Sequence, residues 1–537
     1  MPTKLTTSVR RGLGLASVLA VIAGLSGTPV SAQVTAYKQA VAEAAAGVDA
    51  VGEYYRSVNY AALWTGEGAE FRARRAALID ALENVEVHGL PAGRYDVAGL
   101  MRQMREAHTT RDIGMVEVAL SKAFLRYARD VQSGMLTPIE IDPGLVRKVE
   151  YRDGATLLRG LAAGEPRAVF RALPPTSMEY RMLVKERLKL QQTVADGSWG
   201  SRVPGGKMEP GDSGAGVVAL RNRLIAMGYL ERSPSRDYDP AMQRAVMEFQ
   251  QAHGLETDGV AGDGTIEEIN VSPEERLKSV LVAMERERWT NMDRGERHIL
   301  VNLADFTAKI IDHGEVTFRT RSVIGMNRPD RRSPEFSDTM EHMIVNPSWH
   351  VPRSIITKEY LPQLQRNPNS NRHLIITDRY GRQVDRANTD FTQFSARNFP
   401  FSMRQAPSNS NALGLVKFMF PNKYNIYLHD TPAKNLFARE TRAYSHGCIR
   451  LADPFDFAYA LLAKQEADPK GYFHSVLKTG RETKIDLVTP LPVHLIYRTA
   501  LISPKGRAEF RRDVYGRDAK IWEALNRAGV ELSAVRG

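Results

Sequence analysis

The chain has a single cysteine, Cys448, among its 537 residues, so no internal disulfide can form. It has no membrane-spanning run after residue 32, because no later segment is apolar over the roughly 20 residues a spanning helix needs. An acidic excess is missing as well. Lys and Arg number 73 against 62 Asp and Glu, a formal net charge of +11. That balance favours a polyanionic neighbour such as nucleic acid, an acidic membrane face or an anionic cell wall. The basic residues are scattered rather than gathered in one run, so solubility accounts for them equally well.

A hydrophobic fraction of 43% and a charged fraction of 25% are those of a folded soluble protein. The length is too great for one ordinary core, and roughly two to four domains are expected. Residues 1–32 have the layout of a signal peptide: Lys4, Arg10 and Arg11, an apolar run over 12–25, the helix breakers Gly27, Thr28 and Pro29, then Val30-Ser31-Ala32 before a cut at Gln33. The apolar run is short for a membrane span, which favours cleavage over a retained anchor. The Arg10-Arg11 pair hints at twin-arginine export, although its neighbours fit poorly. The mature chain is then expected outside the cytoplasm, without a stable membrane span. A lone thiol there is open to oxidation, so Cys448 is either buried and inert or has a task.

Residues 33–196 are expected to form a helical scaffold domain. Helical spacing is present over 71–85, 116–127 and 177–194, and no catalytic constellation accompanies it. A Gly-, Ser- and Pro-rich linker over 197–213 precedes a small three-helix module at 209–271. There Val217, Leu220, Leu224 and Ile225 make one face, Asp239-Pro240 starts a second helix and Gly254 ends it. Thr265 and Glu268 have capping-box spacing for a third. The stretch Phe249-Gln250-Gln251-Ala252-His253-Gly254-Leu255, with Asp258-Gly259-Val260 and Thr265, resembles the peptidoglycan-binding domain appended to wall hydrolases. His253 has no second histidine or cysteine at metal spacing, and no metal site is expected.

From His298 the pattern turns to strands: 298–302, 307–311, 317–324, 342–346 and 424–428, with a hairpin signal at Asp312-His313-Gly314. A polar insertion over 353–403 is expected to be a cap beside the site. A helix is expected over 455–462, strands over 493–502 and 509–512, and a last helix over 519–528. The fold class is therefore multidomain: a mainly-β catalytic domain at 296–465 with an inserted cap, a helical scaffold and the small module. Residues 466–537 are expected to form a C-terminal segment packing on the catalytic or scaffold domain.

The chemistry concentrates in His429 and the run Ser445-His446-Gly447-Cys448-Ile449-Arg450. A thiol nucleophile needs a base, a group that orients the base, and amide donors for an oxyanion. Histidine suits the first need at neutral pH, and a glycine before the cysteine lets the backbone turn and expose N–H groups. A histidine, a spacer of about fifteen residues and then Ser/Thr-His-Gly-Cys resembles the signature of L,D-transpeptidase (YkuD-type) catalytic domains. Arg450 stands where that pattern often has asparagine. The stretches 346–352 and 414–418 resemble segments of large Gram-negative members of that family.

The resemblance implies Cys448 as nucleophile and His429 as proton donor and acceptor. A backbone carbonyl near His429, that of Asp430, is implied to orient the ring, with the Asp430 side chain as a competing candidate. Ser445, His446 and Gly447 would support the site and its oxyanion donors. Trp349 and Arg450 are candidate substrate contacts, and Trp349 is equally a core residue. His350 and His342 have weaker claims. The implied reaction uses no metal and no organic cofactor. Its implied partner is peptidoglycan, with tetrapeptide stems as donors and the amine of a diamino acid as acceptor, and no nucleic acid. It would run in the periplasm and form 3→3 cross-links. Hydrolysis of the same bond by an L,D-carboxypeptidase or endopeptidase, or non-catalytic wall binding, are the alternatives.

Overall fold

His313 and Gly314 take left-handed backbone angles, φ 48° and 87°, between the strands Thr307–Asp312 and Glu315–Gly325. Two such residues in succession make the tight turn whose twist suits paired strands, and the expected hairpin forms. The computed structural model describes residues 29–197, 199–290, 293–503 and 505–532. In it, these strands belong to a nine-stranded sheet in the order 443–445, 315–325, 449–451, 428–429, 416–419, 336–345, 483–496, 297–302, 307–312. Thr307–Asp312 pairs with Glu315–Gly325 as well, so the sheet closes on itself and few edges stay open. Ile299, Val301, Met343, Phe418 and Val493 fill its interior. Helix Pro454–Leu462 covers it, with Phe457 edge-on to Phe418 at 4.8 Å.

Several expectations are corrected here. Residues 466–537, expected to pack on the catalytic or scaffold domain, also supply a strand of the sheet itself. Strand Thr483–Ile496 lies inside the sheet, antiparallel to Phe336–Val345 and parallel to Arg297–Asn302. The expected strand over 493–502 is divided. Its first part belongs to that long strand, and Ala500–Ile502 pairs with Ala508–Phe510 in a separate hairpin. Of the strand expected at 424–428, only Leu428 remains, paired as Leu428–His429. The Asn422 side chain accepts the Tyr424 and Ile426 N–H groups and donates to the Phe420 and Ile426 carbonyls, which takes the backbone groups a ladder would use.

The leader expected over 1–32 lies outside the described residues except for 29–32. There the backbone is already helical, in Pro29–Ala45, with proline at the first position, where a missing N–H costs nothing. The helices after it, Asp49–Ser57, Ala69–Glu83, Thr110–Ser133 and Gly154–Ala163, share one core around Trp64 and Phe124. Buried Glu117 orders the loop over that core. It accepts the Leu63, Trp64 and Thr65 amides and the hydroxyls of Tyr55 and Thr65.

In the small module, Asp239 caps Pro240–Ala252 by accepting the Met242 N–H at 2.8 Å. The capping box at Thr265 and Glu268 does not form. Both residues lie inside Asp263–Ile269, where Thr265 accepts from Gln250 and Glu268 pairs with Arg276 at 2.6 Å. His253 is buried, stacked on Phe249 at 3.9 Å. Among the described residues no cluster could hold a metal ion, and no helix is long and apolar enough to cross a membrane.

One helix, not expected from the sequence, joins these parts. In Pro273–Trp289, every residue from Val280 to Trp289 is buried, including Glu285, Arg286, Glu287 and Arg288. Those charges are paired outward in several directions. Arg286 meets Glu335 at 2.9 Å and Asp518 at 2.9 Å, Arg288 meets Glu285 at 2.8 Å, and Glu287 holds Arg498, which also meets Glu179 at 2.7 Å. The scaffold, the sheet and the last helix, Arg517–Arg527, are thus pinned to one rod.

Burial holds His88 and His494 neutral, lowering each to about 4. An unfolded histidine titrates near 6.5, so between those values the unfolded chain binds more protons. Their contribution is full above about pH 6.5 and is lost as pH falls toward 4. The melting temperature is therefore expected to be lower at about pH 5 than at about pH 7.5. A scan at both values checks this, and an equal or higher midpoint in acid contradicts it.

Candidate active site

The chain leaves strand Ala443–Ser445, turns through His446-Gly447-Cys448 and enters strand Ile449–Leu451. Gly447 stands at φ 121°, a region that side chains disfavour. Buried Ser445 knots the turn: its Oγ donates to the Cys448 carbonyl at 2.6 Å and accepts the Gly447 N–H at 3.1 Å. From below, Ser333 Oγ donates to the Gly447 carbonyl at 2.6 Å and accepts the Gly325 N–H at 3.0 Å. The Gly447 N–H, expected to face an oxyanion, is therefore already used by Ser445.

Cys448 is partly exposed, and its thiol points to the Asn425 carbonyl at 3.5 Å. Burial pushes it up to about 11, partly offset by hydrogen bonding from Tyr427 and by the charges of Arg450 and Lys417. Strand Ile449–Leu451 runs parallel to Leu428–His429 with Arg450 beside His429, which brings His429 to the same end of the sheet as Cys448. His429 is buried, and its Nδ1–H donates to the Asp430 carbonyl at 2.5 Å. The Asp430 carboxylate is committed elsewhere, to the Thr431 and Leu415 amides and to Lys434 at 2.7 Å. Between the two candidate orienting groups, the geometry selects the carbonyl. Burial lowers His429 to about 3, and Arg450 adds to the effect, while the Asp430 and Leu413 carbonyls oppose it. With these values both groups are uncharged at neutral pH, a thiol and a neutral imidazole.

Both line one cavity of about 730 Å³. The cap forms its far wall. It is a three-stranded sheet, Trp349–His350, Ser402–Gln405 and Leu374–Thr377, with its own core of Phe391, Phe399 and Met403. Trp349 belongs to that core and also reaches the cavity. Exposed His350 is on the cavity wall too. His342 is not; it sits on strand Phe336–Val345, opposite Met419 and Asp486. His446 is tied to the cap, its Nε2 2.7 Å from Glu359, which also takes Arg331 at 2.6 Å. Lys358 and Asp330 add a second latch at 2.6 Å.

Arg450 lines the cavity with its Nε buried and without a hydrogen-bond partner. Lys417 stands near it, half-buried and lowered chiefly by burial, with its ammonium 6.0 Å from the Tyr427 ring. The sequence singled out neither Tyr427 nor Glu359 as a site residue. Lys417 lay in the family-like stretch 414–418, the one signal that could have marked it.

Residues 296–478 match the family model described as L,D-transpeptidase catalytic domain. This stretch, about a third of the chain, is similar to L,D-transpeptidase catalytic domains. Two further models match, a scaffold domain over 49–186 and a "Putative peptidoglycan binding domain" over 213–269. A "Putative L,D-transpeptidase" of Haemophilus influenzae is 32% identical over 242 residues, 45% of this chain and 48% of that protein. The chain thus spans about half the length of that L,D-transpeptidase relative. The solved L,D-transpeptidase of Stackebrandtia nassauensis is 13% identical with a TM-score of 0.22, covering 55% of this chain and 97% of that one. That of Xylanimonas cellulosilytica DSM 15894 is 13% identical with a TM-score of 0.15, covering 55% and 98%. Scores this low carry no weight for the arrangement of the parts. The chain is multidomain, with a helical scaffold and a small module similar to the putative peptidoglycan-binding domain ahead of a mainly-β domain similar to L,D-transpeptidase catalytic domains.

Proposed function

We propose that the protein is a periplasmic enzyme that forms 3→3 peptidoglycan cross-links through a thioester on Cys448. The observation that carries this is the placement of Cys448 and a carbonyl-anchored His429 in one cavity of a domain that matches the L,D-transpeptidase family. With Nδ1 committed to the Asp430 carbonyl, Nε2 is the atom left to accept the thiol proton. The sulfur bonds to the carbonyl carbon between the third residue of a tetrapeptide stem, a diamino acid, and its D-Ala. The Cys448 N–H steadies the oxyanion. The C–N bond then breaks, and His429 gives its proton to the departing D-Ala amine. The side-chain amine of a second stem attacks the thioester, passes its proton to His429 and forms the new amide, and the thiol is restored. Arg450 and Lys417, which line the cavity with no carboxylate at ion-pair distance among the described residues, suit the free carboxylate of the terminal D-Ala. A leader over 1–32 would deliver the chain to the periplasm.

Water in place of the amine would give a hydrolase with the same first step. Mass spectrometry of the protein with disaccharide-tetrapeptide separates these outcomes. The expected result is an adduct on Cys448 followed by 3→3 dimers. An adduct followed only by tripeptide favours the hydrolase, and full activity in Cys448→Ala would show that another group is the nucleophile.

The turn under Cys448 gives a second check. A Cβ at Gly325 would lie 2.0 Å from the Arg331 carbonyl oxygen and 3.0 Å from Gly447 Cα. Gly325→Ala must therefore displace the turn, and a shift of about 1 Å costs on the order of a hundredfold in rate. A time course of adduct formation reads this loss, and an unchanged rate would show that the turn absorbs the methyl group.

A further inference from the structure

A second cleft, of about 750 Å³, opens between the three-helix module and the catalytic sheet. The module contributes residues 251–257, and the sheet and its loops contribute 304–307, 319–321 and 438–442. Six arginines and four carboxylates line it. Arg511 and Arg512 are engaged, with Glu509 at 2.9 Å and Glu440 at 2.8 Å. The other four, Arg319, Arg321, Arg439 and Arg442, have no carboxylate at ion-pair distance among the described residues. Arg442 donates only to the Ser322, Arg439 and Phe306 carbonyls, and Arg321 only to the Phe437 carbonyl at 3.1 Å. The side chains of Arg319 and Arg439 are exposed and make no hydrogen bond among the described residues. Asp305, Asp453 and Glu256 share the cleft as carboxylates, the first two accepting the hydroxyls of Thr307 and Thr320. Burial, then the charge of Arg321, lower Arg442 to about 10; Asp305 opposes the shift and Arg319 adds to it. Six guanidinium groups against four carboxylates leave the cleft a net positive charge, and an anion between the arginines that lack an ion pair relieves their repulsion.

We propose that this cleft binds a carboxylate-bearing peptide–glycan strand, held between the module and the catalytic sheet. The proposal rests on the peptidoglycan function above. A peptidoglycan stem carries free carboxylates spaced along a short peptide, which matches several separate guanidinium groups better than a single anion does. The cleft lies close to the nucleophile turn along the chain. Arg442 opens the strand Ala443–Ser445, and three extended residues, about 10 Å, separate it from the turn that holds Cys448. A strand bound there has a stem within reach of the Cys448 cavity.

The test uses the full chain with Arg319→Ala and Arg439→Ala combined, since neither side chain is bonded in the fold. Co-sedimentation with purified sacculi is measured at low and at high salt, beside acylation of Cys448 by soluble disaccharide-tetrapeptide and binding to phosphatidylglycerol vesicles. Expected are about tenfold weaker sacculus binding at low salt, a shallower salt dependence and an unchanged acylation rate. Undiminished sacculus binding, in a protein that binds and is acylated as wild type, overturns the cleft and leaves the function intact. A wild type that neither binds sacculi nor is acylated overturns both. Loss of vesicle binding alone assigns the arginines to a lipid headgroup and overturns the peptide–glycan occupant.

Discussion

Replacing His429 by alanine is expected to slow acylation of Cys448 by about 10²–10⁴ at neutral pH, the range a positioned general base supplies. The size of the effect follows from the protonation states. With Cys448 near 11 and His429 near 3, the resting pair is a thiol and an imidazole, so almost no thiolate exists without the base. A free thiolate at pH 7 would then be on the order of one part in ten thousand. In His429→Ala, acylation should climb with pH up to the thiol value, because hydroxide replaces the lost base. The wild type should depend on pH much less steeply. Alkylation of resting Cys448 by iodoacetamide separates this from the alternative of a preformed thiolate–imidazolium pair. Here its rate should rise through neutrality toward about pH 11, whereas a preformed pair would give a plateau below pH 7. Arg450→Met should move the rise upward, because the arginine charge lowers the thiol value.

Glu335→Ala is expected to cost about 3–5 kcal/mol, because it strands buried cations. Glu335 accepts Arg286 at 2.9 Å and Arg517 at 3.3 Å, and all three side chains are almost fully buried. Removing the carboxylate leaves Arg517 with carbonyl and ring contacts alone and Arg286 with Asp518. On a unit of this size the melting temperature should fall by roughly 10 °C. Glu335→Gln, which keeps the shape, should cost less. Adduct formation on Cys448 should suffer too. Arg517 donates to the Ser333 carbonyl at 2.9 Å, and Ser333 holds the Gly447 carbonyl, so the ion network also supports the nucleophile turn. A melting temperature unchanged within a degree or two would show that water or a neighbour replaces the carboxylate.

The helices of the scaffold and module were legible because each repeats apolar residues at helical spacing and carries a local start signal, as Asp239-Pro240 does. Ser445-His446-Gly447-Cys448 and His429 were legible because the chemistry needs those residue types at close range. Tyr424 to Tyr427 misled, since β-prone residues alone do not show that Asn422 will consume their backbone bonds. Strand Thr483–Ile496 was half missed because its sheet partners lie more than a hundred residues away, at 297–302 and 336–345. Pro273–Trp289 was passed over because Glu-Arg-Glu-Arg reads as a solvated surface, and only distant partners allow those charges to be buried.

By itself the sequence determined the kinds of parts: a helical segment, a small module, a strand-rich domain, and a thiol with a histidine available. These follow from short-range periodicity and residue chemistry, which a chain carries before it folds. Only the tertiary structure decided that His429 is held by the Asp430 carbonyl, that Ser445 takes the Gly447 N–H, and that His446 is tied to the cap by Glu359. It also decided that four arginines from separate segments face one cleft. Each of these depends on which distant segments meet, and that is set by how the sheet closes and what the buried ion pairs hold together.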